Sequence, residues 1–231
     1  DTLVEAFLCV DNPQTAPVSL ALRALAAEGV HVLCYHIHVP DPDPLANPAA
    51  VEAAEQMGIS ETPTVWINGQ RVRLSEEALR NPDGVVAALD QAEGGPSPRP
   101  VTLEVLTDAD GACTVVASRP EGEEVDPDRA ICYAVESTVL LHSANQCWLH
   151  GQVVRGRIAL RDTHDAQGRL VGTLDPRVLQ TEYRDYARRF ESERSLTFRT
   201  IPDHIDIRAC SVVVKLYNRA GHLVAVGTRP L

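Results

Sequence analysis

The spacing of apolar and polar positions divides the chain into two stretches with different periods. Leu3 to Val10 is an almost unbroken apolar run, as a strand covered on both faces requires, and Val18, Ala21, Leu22 and Leu25 then recur at helical spacing until Gly29. His31 to Val39 forms a second strand. Asn47 and Pro48 supply an N-cap and a first-turn proline for a helix ending at Met57-Gly58. Thr64 to Ile67 predicts a short strand, Asn68-Gly69 a two-residue turn, and Arg71 to Leu74 the return strand. Ser75 with Glu76 and Glu77 opens a helix interrupted at Asn81-Pro82-Asp83-Gly84 and resumed through Leu89. The order is β-α-β-α-β-β-α.

Gly94-Gly95-Pro96-Ser97-Pro98-Arg99-Pro100 reads as a linker, because its glycines stop a helix and its prolines hold an extended backbone poor in donors. It separates a unit at 1–93 from one at 101–231, with 94–100 between them. Beyond it the period is two. Strand candidates are Val101 to Thr107, Cys113 to Ser118, Ala130 to Glu136, Thr138 to Leu141, Cys147 to Leu160, Ser195 to Ile201, Cys210 to Tyr217 and Leu223 to Val226. Many short strands predict a β-sandwich. One helix interrupts them, capped by Asp175-Pro176 and carrying Val178, Tyr183, Tyr186 and Phe190. Asp108-Ala109-Asp110-Gly111 and Arg219-Ala220-Gly221 read as hairpin turns.

With 231 residues, 44% of them hydrophobic, the chain can bury one large core or two modest ones. Lys and Arg total 21 against 32 Asp and Glu, a formal charge of −11, which disfavours nucleic acid and anionic membrane surfaces as partners. No apolar run approaches the ~18 residues a membrane helix needs, so no membrane span is expected. The first residue is Asp1 and the single methionine is Met57, which fits a processed end and an N-terminal leader or anchor no longer present. No cofactor is implied.

The six cysteines, Cys9, Cys34, Cys113, Cys132, Cys147 and Cys210, form no C-x-x-C, which removes zinc ribbons, c-type haem attachment and the common dithiol motif. Their even number fits an oxidising compartment, with buried free thiols as the other reading. Cys9, at the end of the first strand, is the redox candidate, and a Cys9–Cys34 disulfide is conceivable if the two share a face. Cys34, His36 and His38 alternate along one strand. Same-side neighbours lie ~6.6 Å apart, so His36 and His38 can share a metal while Cys34 is too distant, and Asp41 and Asp43 are near in sequence. Histidines hydrogen-bonding a strand-to-loop junction are the other reading. Asp108-x-Asp110-Gly111 resembles half a calcium loop without its acidic twelfth ligand and reads as a turn. Arg184, Arg188, Arg189 and Arg194 form a solvated face.

The element order, with Thr62-Pro63 directly before a short strand and an Asn-Gly turn, resembles the thioredoxin fold. In that family the segment matching Glu61 to Gly69 carries a cis proline facing the active-site helix, which implies a groove at Thr62 and Pro63. Tyr35 to Pro40 and Asp43 to Pro48 look like a narrower group of secreted bacterial thioredoxin-like proteins, some with a β-rich C-terminal domain. His150-Gly151-Gln152-Val153-Val154-Arg155 is similar to a strand motif of the twenty-eight-kilodalton outer-membrane protein family, with His150 and Arg155 at its fixed positions. The resemblance thus implies an α/β thioredoxin-like domain followed by an immunoglobulin-like β-sandwich with one inserted helix. One departure stands out. Thioredoxin-like enzymes place C-x-x-C at the start of the first helix, where Asn12-Pro13-Gln14-Thr15 stands here. Asn12 reads as an N-cap and Pro13 as a first-turn residue, and dithiol exchange has neither of its sulfurs at Asn12 and Thr15.

These features together lead to the expectation of a redox-inactive binding or scaffold protein of the periplasm or cell surface, an accessory subunit with a protein partner. Two alternatives stand beside it: a thiol-dependent oxidoreductase using Cys9, and a metal carrier using His36 and His38.

Overall fold

The protein, seen as a computed structural model, is described over residues 1–142, 147–163, 168–202 and 204–231. It is a mixed α/β fold with a large curled sheet and a second, smaller one. Strand β1 (Leu3–Leu8) is buried throughout, as its apolar run requires. It is followed by α1 (Thr15–Ala27), β2 (His31–His36), α2 (Pro48–Gln56), β3 (Thr64–Ile67), β4 (Gln70–Val72) and α3 (Pro82–Gln91). Local chemistry sets these boundaries: Asn47 accepts the Ala50 N–H and Asn81 the Gly84 N–H, each with proline in the first turn. Asn68 and Gly69, with φ of 47° and 80°, make the tight turn between β3 and β4.

One helix starts later than predicted. Asn12 does not cap α1; its side-chain oxygen accepts from Gln14 N–H two residues on, and the helix begins at Thr15 with Gln14 at the cap position.

The segment 94–100 is held against the fold. Gly95 lies where a Cβ would stand 2.1 Å from the Asn68 carbonyl oxygen, so only glycine fits, and Asn68 donates to the Gly95 carbonyl at 3.2 Å. Its last two residues form β5 (Arg99–Pro100). Beyond it come β6 (Leu103–Thr107), β7 (Cys113–Ser118), β8 (Ala130–Leu140), β9 (Leu149–Ala159), β10 (Arg161–Asp162), β11 (Arg169–Leu174), α4 (Pro176–Arg194), β12 (Cys210–Tyr217) and β13 (Leu223–Pro230).

Two expectations need correction. Ser195 to Ile201 is not a strand: Ser195 takes the left-handed conformation that ends α4, and the chain folds back so that Phe198 stacks on Phe190. Conversely, β11 was not expected. Gly172 interrupts its apolar pattern because a Cβ there would come within 2.9 Å of Ile158 and Leu160 side-chain atoms.

The nine-stranded sheet runs β4-β3-β1-β2-β9-β8-β12-β13-β5, joining both sequence stretches through the pairing of Cys34 with Val153. Helix α2 covers one face across this junction, its alanines packing with Phe7, Leu33 and Tyr35 and with Tyr133, Val135 and Val213. Helices α1 and α3 pack against Val4, Ala6 and Leu8. The four-stranded sheet β10-β11-β7-β6 encloses a third core with β8, β12 and β13.

Two buried charges cross the junction. Lys215, the only lysine in the chain, places Nζ 2.6 Å from Glu5 Oε1, and Tyr35 Oη donates to that carboxylate oxygen at 2.8 Å. Both charged side chains are 4% exposed. Burial works against the ammonium, but Glu5 together with Tyr133 and Tyr217 more than offsets it and holds the lysine well above its ordinary pKa. Lys215→Met leaves the Glu5 charge uncompensated and is expected to cost about 3–5 kcal/mol in urea unfolding, while Glu5→Leu combined with Lys215→Met costs less than that single change. Additive losses in the double variant would refute the coupling.

Candidate functional site

Strands β1 and β2 run parallel, so their carboxyl ends open on one rim, where ligand sites of open α/β sheets collect. Cys9, Asn12, His36 and His38 all issue from that rim, and the loop after β2 returns Asp43 beneath it. Asp43 organises the junction. Its buried carboxylate accepts from Val10 N–H at 2.9 Å, Leu45 N–H at 2.7 Å and His36 Nδ1 at 2.9 Å, while its own N–H donates to His38 Nδ1 at 2.9 Å. Pro42 and Pro44, which lack amide donors, flank it and stiffen the approach.

These bonds set the state of both histidines. His36 presents a proton on Nδ1 to the carboxylate. His38 accepts at Nδ1 and so carries its proton on Nε2, 2.9 Å from the Tyr186 hydroxyl oxygen, while its ring stacks on Phe190 with centroids 3.6 Å apart. Burial pushes His38 down to about 4, against the opposing pull of Asp43. The structure therefore brings His36 and His38 together on Asp43. Among the described residues no group of three His, Cys, Asp or Glu side chains is arranged to hold a metal ion.

Asn12 and Thr15 are both bonded to neighbouring segments. Asn12 Nδ2 donates to the Thr62 carbonyl oxygen at 2.6 Å and lies 3.3 Å from Thr62 Oγ1, which in turn donates to the Val39 carbonyl at 2.6 Å. The Thr62–Pro63 peptide is cis, as is Val39–Pro40. Thr15 is buried, with Oγ1 accepting from Cys9 N–H at 3.4 Å. The loop leading into α1 is thus tied to the proline loop through an amide side chain.

Cys9 is buried, and its thiol donates to the Asp41 carbonyl at 3.4 Å. Burial and then the charge of Asp43 push it up to about 11, leaving it a thiol at neutral pH. All six cysteines are buried and none is in a disulfide, so the conceivable Cys9–Cys34 bond is not formed. Cys34 points instead into the core under α1 and is pushed up to about 12 by burial.

Residues of the second stretch approach the same rim. His150 is fully buried, its ring 5.4 Å from that of His36 and edge-on to it. Arg155 is sealed too: Nε lies 3.1 Å from Glu136 Oε2, and the guanidinium sits 4.5 Å above the Tyr183 ring. Burial raises the Glu136 carboxyl above its usual range despite Arg155. Tyr183 donates to the Pro44 carbonyl at 2.7 Å, anchoring α4 to the loop that carries Asp43. The remaining candidates behave as the sequence implied: Asp108 accepts from Asp110 and Ala112 amides in a turn, and Arg184, Arg188, Arg189 and Arg194 are exposed. Sequence reasoning missed Glu136 and the anchoring role of Tyr183. Glu136 was signalled by being the one acidic residue in the apolar run from Ala130.

Chemically, this rim joins Asp43, His36 and His38 in mutual bonds and turns the Cys9 thiol onto the Asp41 backbone carbonyl. No family model, curated protein or solved structure matches the chain.

Two outcomes follow. Burial, then the neighbouring His36, push His150 down to about 4, so in the pH window between about 6.5 and 4 the unfolded chain takes up the proton before the folded one. The neutral ring's contribution is fully present above about 6.5, is lost as pH falls toward 4 and changes no further below; the loss is on the order of 3 kcal/mol. Urea titrations across this range should show a shallower pH slope for His150→Leu than for the wild type, and identical slopes would contradict the assignment. Second, a colourimetric thiol reagent should find Cys9 unreactive in the native protein and all six thiols after denaturation, whereas fast native labelling of Cys9 would contradict its burial.

Proposed function

We propose that this chain is a redox-inactive, thioredoxin-like binding or scaffold protein of the periplasm or cell surface, working as an accessory subunit of a larger assembly. The observation that carries this reading is the bond from Asn12 to the Thr62 carbonyl. In a thioredoxin-like enzyme the helix tip must offer a thiolate across a gap to the proline loop; here that gap is spanned by an amide. The β-α-β-α-β-β-α order of the first stretch and the β4-β3-β1-β2 arrangement support the thioredoxin-like comparison. The two-sheet arrangement after the linker supports the sandwich comparison.

A thiol-dependent reaction at Cys9 is the weaker alternative, since exchange needs a thiolate and Cys9 is both enclosed and protonated. Metal carriage by His36 and His38 is weaker still, because each already has Asp43 as a partner.

The test is insulin reduction with dithiothreitol as the electron source. The native chain should not accelerate precipitation beyond the blank, while Asn12→Cys with Thr15→Cys, which restores C-x-x-C to the helix tip, should. Cysteine-dependent turnover by the native chain would overturn the reading of inactivity. Failure of a folded double variant to gain any turnover would count against the thioredoxin-like comparison.

A further inference from the structure

Helix α4 buries little of its length. Of its 19 residues only Pro176, Leu179, Tyr183 and Ala187 are buried, and the apolar Val178 is exposed. One flank is open, because a cleft of about 640 Å³ runs between α4, α2 and β9, lined by Asn47, Glu52, Tyr186 and Arg189 among others. Elsewhere the helix is tethered side chain by side chain. Leu179 sits on Gly156 of β9, where a Cβ would come 2.3 Å from its Cδ2, and Gln180 accepts from Ile205 N–H. Tyr183 reaches the Pro44 carbonyl and Tyr186 meets His38.

What lies beneath α4 opposes its docking. Arg155 Nε is 3.1 Å from Glu136 Oε2 but outside hydrogen-bonding geometry, and none of the three guanidinium nitrogens has a hydrogen-bond partner among the described residues. Glu136 Oε2 and Gln180 Nε2 are buried with none either. The Tyr183 ring covers the guanidinium at 4.5 Å, an attraction that leaves the N–H donors unmet. Docking the helix therefore takes from water polar groups that it does not satisfy, which weakens its hold. Strand β12, by contrast, is paired on both sides, by β8 and β13.

We propose that α4 is a strap that lifts as a unit while both sheets stay closed, with the His38–Tyr186 contact as its latch. The His38 ring is fixed by Asp43 N–H at Nδ1, and it bonds Tyr186 and stacks on Phe190, so one imidazole ties the rim to successive turns of the helix. The turn after Ser195 travels with α4, because Phe198 stacks on Phe190 and its N–H donates to Glu191. Lifting returns the Arg155–Glu136 pair to water. The strap is independent of the function proposed above, since it involves neither Asn12 nor the proline loop.

The test is native-state amide exchange of the full chain at neutral pH, read by mass spectrometry on peptic fragments, with and without low urea. Interior amides of α4 should exchange at least about a hundredfold faster than those of β12, with little dependence on urea, because a local opening exposes little surface. Tyr186→Phe, which removes the latch hydrogen bond, should speed α4 exchange about fivefold and leave β12 unchanged. Arg155→Met combined with Glu136→Leu, which puts apolar groups in place of the unmet polar ones, should slow α4 exchange about tenfold. One common rate and one common urea dependence for α4 and β12 would mean that the helix opens only with the whole chain, and the strap would be refuted. Exchange of α4 unaltered by Tyr186→Phe would refute the latch, and exchange undiminished in a folded double variant would refute the opposing polar layer. The wild-type rates and Tyr186→Phe decide the matter even where the double variant does not fold.

Discussion

A carboxylate from the first strand and an ammonium from the twelfth, 210 residues apart in sequence, meet 2.6 Å from each other inside a sheet that excludes water. Neither charge is tolerable there alone, because removing an ion from water costs several kcal/mol that only a well-placed partner offsets. Each strand therefore requires the other in one register. Tyr35, Tyr133 and Tyr217 surround the ammonium at 5.0–5.9 Å from their ring centroids, so the pair is enclosed by aromatic faces from both sequence stretches. The long continuous sheet, and the α2 helix laid across its junction, follow from the same constraint.

The rim above that pair repeats this economy with polar groups. Asp43 closes the ends of β1 and β2, Tyr183 ties α4 to the next residue, and Asn12 ties α1 to the proline loop. Asp43, His36, His38 and Asn12 are each engaged in holding a neighbour, whereas both ring nitrogens of the buried His150 have no hydrogen-bond partner among the described residues. These bonds hold the loops at the ends of β1 and β2 against α1 and α4.

The elements that sequence made legible are those decided locally. The Asn81 cap, the Asn68-Gly69 turn and the alternation of Cys113 to Ser118 depend on residues a few positions apart, and each appears where spacing placed it. What depends on distant partners was not legible. Ser195 to Ile201 alternates like a strand, yet the ring of Phe190 one turn earlier in α4 captures Phe198. Asn12 is a good cap by type, but its side-chain oxygen accepts from Gln14 N–H while its Nδ2 donates to the Thr62 carbonyl 50 residues away, which fixes the side chain outside α1. Glu5 and Lys215 left a readable trace, each a lone charge in an apolar strand; that two such strands adjoin one core is a tertiary fact.

One consequence of the enclosed lysine is practical. With every other basic side chain an arginine or histidine, reagents that acylate amines find no side-chain target in the folded molecule. Coupling to activated resins, succinimidyl dyes and aldehyde fixatives through side chains would therefore sample molecules that have opened. The extent of such modification becomes a counter of unfolding events, carried by a single atom.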